Sequence, residues 1–147
     1  MKINDALANI QPLGISIRKM DFTNNFVVFK DDDGVTKQLD VRYNIDEMTC
    51  EDEENALMGT LSLFVDITIK NDKEEQMDIH LHLQGGFISN KVECKEVNIE
   101  NFKNMLEVNG CAALYSIARS IIISLTSQAC VGDTIILPMI NIFKMKE

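Results

Sequence analysis

The chain is short of positive charge. Lysine and arginine together number 14 against 23 aspartates and glutamates, a formal net charge of −9. That balance disfavours a nucleic-acid backbone as partner and suits neutral, apolar or basic ones; solubility alone also explains many of the acids. Paired cysteines are missing too. Cys50, Cys94, Cys111 and Cys130 lie far apart with no CxxC pair, so the sequence supplies no local zinc cluster. No apolar h-region of a signal peptide follows Met1-Lys2-Ile3-Asn4-Asp5, so reduced cysteines and a cytoplasmic location are expected. No unbroken apolar stretch approaches the ~20 residues of a membrane crossing, so direct membrane insertion is not expected. Nucleotide-binding loops are lacking as well: neither GK[ST] nor GxGxxG accompanies Gln84-Gly85-Gly86, and no cofactor is implied.

Apolar residues make up 46 % of the 147, enough for a core, and the length fits one domain spanning 1–147. Three segments alternate cleanly. Leu39, Val41, Tyr43 and Ile45 alternate with Gln38, Asp40, Arg42 and Asn44; Leu61, Leu63, Val65, Ile67 and Ile69 with Ser62, Phe64, Asp66 and Thr68; and Met77, Ile79, Leu81 and Leu83 with Asp78, His80, His82 and Gln84. Each has one dry and one wet face, the pattern of an antiparallel sheet covered on one side. A fourth strand is expected upstream. Pro12 ends a short helix or loose arm, Ile15 and Ile17 begin an alternation, a bulge falls near Lys19–Phe22, and 26–29 continue the strand. Asp33-Gly34 suits a tight hairpin and residues 71–76 a second one. The acid-rich residues 46–55 read as a helical turn or a mobile flap.

Downstream the period changes. No proline or glycine interrupts 111–129, where Leu114, Ala118, Ile121, Ile122 and Leu125 recur at three- and four-residue spacings on one helical stripe. Three consecutive isoleucines are poor helix formers, so packing on a partner surface must stabilise this helix. A shorter helix over 98–108, capped by Asn98, precedes it, with Asn109-Gly110 as the break. Beyond it, Pro138 directs 134–143 into an extended run lying on a surface rather than inside a sheet. The expected fold is α+β: a four-stranded antiparallel sheet covered on one face by a long helix plus a short one.

Catalytic chemistry has little support. His80 and His82 share one side of a strand near Asp66, yet no third metal ligand is evident. Ser116, Ser120 and Ser124 follow one helix side without a histidine–acid pair to activate them, and small side chains there suit close helix or subunit packing. No enzyme is expected. Phe64 sits on the polar phase of its strand, which points to an oligomer or client surface or to an uncovered core position. Eight methionines fit a surface that repacks around varied apolar partners, although core filling explains any single one.

Three groups of residues, in order, resemble the SecB family of export chaperones: residues 81–86 followed by Phe87-Ile88; Leu114-Tyr115 with Ala118-Arg119; and Leu137-Pro138 with Ile140-Asn141 and Phe143. The resemblance implies a SecB-like fold and an ATP-independent holdase that binds unfolded preproteins in apolar grooves and passes them to the SecA motor. It also implies a homo-tetramer, a dimer of dimers. By that likeness Tyr43, Ile45, Met48 and Leu57 border one groove wall, and Leu114, Tyr115 and Ile122 lie in the facing helical layer near Ile140 and Phe143. Asp66 and Asp78 would serve translocase docking, and Phe64, Ser116 and Ser120 an oligomer interface. Some relatives instead guard an antitoxin, so a dedicated client is the alternative, as is a non-chaperone oligomeric adaptor.

Overall fold

A computed structural model describes residues 10–28, 34–51, 56–72, 74–90, 99–129 and 135–145. Four strands, β1 (Gln11–Asn24), β2 (Thr36–Glu51), β3 (Ala56–Lys70) and β4 (Gln76–Asn90), form one antiparallel sheet in the order β1-β4-β3-β2. β1 and β2 are therefore its edges. Alternation decides the faces. Leu61, Leu63, Val65, Ile67 and Ile69 of β3 and Met77, Ile79, Leu81 and Leu83 of β4 are all buried under the helical layer. Ser62, Phe64 and Asp66 share the opposite, outer face with His80, His82 and Gln84.

Bulges keep the edge strands in phase. In β1 the register shifts between Ile17 and Lys19, so the inner row runs Ile15, Ile17, Met20, Phe22 opposite Gly85, Leu83, Leu81 and Ile79. The shift falls just ahead of the expected position, at Arg18. Pro12 lies within β1, where an edge strand tolerates its missing N–H. Phe26 to Val28 do not continue the strand; Phe26 N–H instead donates to the Asn24 side chain at 2.9 Å. In β2 the shift falls between Ile45 and Glu47, which moves the inner row from Tyr43 and Ile45 to Met48. β2 runs on to Glu51, so the first half of the acidic 46–55 segment is strand rather than flap; 52–55 lie outside the described residues.

The helical layer departs from the sequence expectation. Instead of a short helix, a break and a long helix, one helical run covers 99–129: α1 (Ile99–Met105), a π-helical turn (Leu106–Gly110) and α2 (Cys111–Ala129). Asn98, the expected cap, lies outside the described residues. Asn109-Gly110 does not stop the helix because Gly110 serves a different need. A Cβ there would sit 2.9 Å from Leu61 Cδ2 and 3.4 Å from Phe87 Cε2, so the glycine lets the π turn press onto the sheet. Gly59 does the same from below, where a Cβ would meet Leu106 at 2.7 Å and Phe102 at 3.2 Å. The run Ile99–Gln128, 30 residues, is long and apolar enough by length and composition to cross a membrane, although no unbroken apolar stretch announces it. Its inner side packs on the sheet: Phe102, Leu106, Cys111, Leu114, Ala118 and Ile122 are buried.

Residues 135–141 form a strap with neither helix nor strand, and a short α3 (Ile142–Met145) follows. Residues 131–134 lie outside the described residues, as do residues 1–9.

Candidate functional site

The helical run covers the two central strands and leaves the inner rows of both edges incompletely buried. On β2, Val41, Tyr43, Ile45 and Met48 are half-buried and Leu39 is exposed. On β1, Ile17 and Met20 are exposed. Burying an apolar side chain fully is worth about 1.5–3 kcal/mol, so each uncovered row is a surface on which further apolar cover would be favourable.

The two flanks of α2 differ. Ile121, Ser124, Leu125 and Gln128 share a cleft of about 380 Å³ with Met20, which sets that flank on the β1 side. Tyr115, Arg119 and Thr126 lie roughly 150° further round at ~100° per residue, hence on the β2 side. There they hold the strap. Thr126 Oγ1 donates to the Ile122 carbonyl at 2.8 Å and accepts from Ile135 N–H at 3.1 Å. Arg119 Nε donates to the Leu137 carbonyl at 3.1 Å, and the Tyr115 hydroxyl to the Pro138 carbonyl at 2.5 Å. Burial pushes the Tyr115 hydroxyl pKa up, against the lowering effect of Arg119, so it stays a donor at neutral pH. The segment thus runs beside α2 toward the π turn, where Val108, Met139, Ile140, Asn141 and Ile142 line an open cleft of about 570 Å³.

The residues expected to bind a client fall into two sets. Tyr43, Ile45 and Met48 are half-buried along β2 and Ile140 is half-buried in the cleft wall. Leu57, Leu114 and Ile122 are in the closed core, at 2 %, 0 % and 0 % exposure, and Tyr115 is buried apart from its bond to the strap. The side chain of Phe143 is outside the described residues. Sequence periodicity registers that these residues are apolar; it does not separate core from groove. Thr126 and Arg119 were not singled out for this role. A threonine inside an apolar helical stripe was the available signal, because a buried hydroxyl needs partners.

The outer face is a polar network. Asp46, the extra residue at the β2 bulge, accepts from Ser62 Oγ (2.6 Å), Gln84 Nε2 (2.9 Å) and Asn44 Nδ2 (3.0 Å). Burial raises its pKa, but those three hydrogen bonds and nearby His82 outweigh this and hold it below the ordinary value. Ser62 Oγ lies 2.9 Å from His82 Nε2. Since Ser62 gives its proton to Asp46, His82 is the donor there, and the pair is not a serine activated by a base. Phe64 is half-buried, stacked on His82 with centroids 4.2 Å apart, and Arg42 Cζ lies 5.0 Å from its ring centre. Asp66 pairs with Arg42 (3.4 Å) and His80 Nδ1 (2.7 Å), and Asp78 accepts from Gln76 at 2.7 Å. Ser116 and Ser120 are exposed on α2, with Ser120 Oγ donating to the Ser116 carbonyl at 3.3 Å. Among the described residues no three His, Cys, Asp or Glu side chains converge to hold a metal ion.

Comparison places this architecture. The chain has the fold of a SecB-like chaperone. It aligns with the Mycobacterium tuberculosis Rv1957 SecB-like chaperone, solved in complex with a ChAD peptide from the Rv1956 HigA1 antitoxin, with a TM-score of 0.64 and 14 % identity over 90 % of this chain and 91 % of that one. A protein of unknown function from Streptococcus agalactiae aligns with a TM-score of 0.49 and 12 % identity, over 88 % and 97 % of the two chains. No protein-family model matches the sequence, and no curated protein matches it.

Proposed function

We propose that this protein is an ATP-independent chaperone that holds an extended apolar segment of a dedicated protein client, an antitoxin-type segment being the first candidate. The observation that carries this is the half-covered inner row of β2 facing the side of α2 where the strap runs. A strand added to the β2 edge would find backbone donors and acceptors there, and its inward side chains would cover Val41, Tyr43 and Ile45. The SecB-like neighbour with an antitoxin peptide bound supports a client of that kind. The inner rows of β1 and the Ser116–Ser120 side of α2 supply the surfaces for a homo-tetramer built as a dimer of dimers. The location is cytoplasmic, and neither nucleotide nor cofactor takes part.

The second reading is a general export holdase delivering preproteins to SecA. It is the weaker one because Asp66 is already ion-paired with Arg42 and hydrogen-bonded to His80, which reduces the free acidity of the docking face. The deciding experiment dilutes an unfolded precursor into the purified protein without nucleotide and follows aggregation by light scattering, with native mass read in parallel. Suppression near one client per assembly supports a holdase. An intact assembly that leaves aggregation unchanged, and that also binds no antitoxin segment, sinks it. SecA binding in a pull-down separates the export reading from the dedicated one.

A further inference from the structure

The strap, residues 135–141, is an unusual wall. Among the described residues, its backbone-to-backbone bonding outside helices and strands consists of Lys144 N–H donating to the Asn141 carbonyl. Thr126, Arg119 and Tyr115 on one flank of α2 tie it at Ile135, Leu137 and Pro138. Along the strap Ile135 and Leu137 are buried, while Ile136 is 66 % and Met139 86 % exposed. The last two ties grip consecutive carbonyls. They fall immediately before residues 139–142, which form the cleft wall opposite Val108. Pro138 confines Leu137 to extended geometry, so fixing these two carbonyls sets the direction of everything after them.

We infer that Tyr115 and Arg119 are positioning residues of the client groove: by gripping the strap backbone at Leu137 and Pro138 they hold residues 139–142 as its wall. This rests on the chaperone reading above. Tyr115 is 5 % exposed, so a client does not reach its ring while the strap is seated. Its effect on binding passes through the strap. The grip is on carbonyls, which every residue possesses, so the wall's side chains are free to suit a client while its placement stays fixed. Losing one such hydrogen bond corresponds to a roughly two- to tenfold change in an equilibrium.

The test uses the full chain with Tyr115→Phe, Arg119→Met and the conservative Arg119→Lys. Hydrogen exchange read by mass spectrometry should accelerate over 135–145 in the first two variants and stay unchanged over β3 and β4. Affinity for a fluorescent, reduced and carboxymethylated lactalbumin should fall roughly two- to tenfold in each, with Arg119→Lys recovering part of the loss. A merely structural role would instead speed exchange in the sheet as well. Unchanged strap exchange overturns the inference, as does faster strap exchange with unaltered affinity. A wild-type chain that binds neither this probe nor an antitoxin segment overturns the chaperone reading. One that binds only the antitoxin segment takes that segment as the affinity probe, and the exchange arm shows separately whether the tethers hold.

Discussion

Single side chains here act mainly by satisfying, or failing to satisfy, polar atoms. Asp46 collects three donors on the outer face and its pKa is held below the ordinary 3.8. A depressed carboxyl contributes stability that is complete above the unfolded value and is lost as pH falls through the lower folded value. Asp46→Asn should therefore melt lower than wild type at neutral pH, with the two melting temperatures converging from about pH 5 down to pH 2. A gap that does not change with pH would show that Asp46 acts by shape alone. Ser89 is the opposite case: buried at 1 %, its hydroxyl has no hydrogen-bond partner among the described residues. Ser89→Ala should raise unfolding free energy by about 1 kcal/mol in urea titration, since a buried unsatisfied hydroxyl costs about 1–3 kcal/mol. Cys111, pushed up to about 12 by burial and by the Glu107 carboxylate, is a packed thiol rather than a nucleophile.

At the scale of elements, the π turn is where helix and sheet meet most closely, and Gly110 gives a prediction whose sign is informative. As a mere helix interruption, Gly110→Ala would stabilise by up to about 1 kcal/mol through propensity. As a spacer against Leu61 and Phe87 it should destabilise by about 1–3 kcal/mol, because fully buried neighbours cannot move aside. The second outcome is expected in thermal or urea unfolding. The same residue marks a limit of reading the chain alone. Alternation in β2, β3 and β4 was legible because one face of each is dry, and the helical stripe because its spacing fits one side. Asn-Gly reads as a break locally, whereas here the absent Cβ answers a contact with residues distant in sequence. The bulge at Asp46 escaped notice for a related reason: a run of acids looks like a solvated link until a partner strand shows that one of them is the extra residue of a register shift. Of the candidate site, the half-buried β2 row was legible as apolar alternation. The ties from Arg119 and Thr126 to the strap were not, because a side chain gripping a backbone leaves no pattern in the gripped residues.

For the molecule as a whole, the helical layer is narrower than the sheet. Both edge strands keep apolar inner rows in partial contact with water, and in the proposed assembly the β1 side is closed by another copy. Met20→Glu places a charge in the cleft shared with Ile121 and Leu125, so it should lower the native mass toward that of a single chain while circular dichroism stays unchanged. A variant that retains the parent mass would move the interface elsewhere. The proposed client surface is at the other edge: Tyr43→Lys should weaken capture of an unfolded chain several-fold, read by fluorescence anisotropy, and leave native mass intact.

The strand order has a consequence in time. β2, β3 and β4 are joined by consecutive hairpins and pair as they emerge, but Gln11 has no partner until Ile88 has been made. At ~5–20 residues per second of synthesis, the first strand waits roughly 4–15 s with Leu13, Ile17 and Met20 uncovered. Those are the same residues that remain exposed in the finished fold. During translation the nascent chain therefore presents, in its first strand, the kind of apolar segment that the completed protein is proposed to shelter in others.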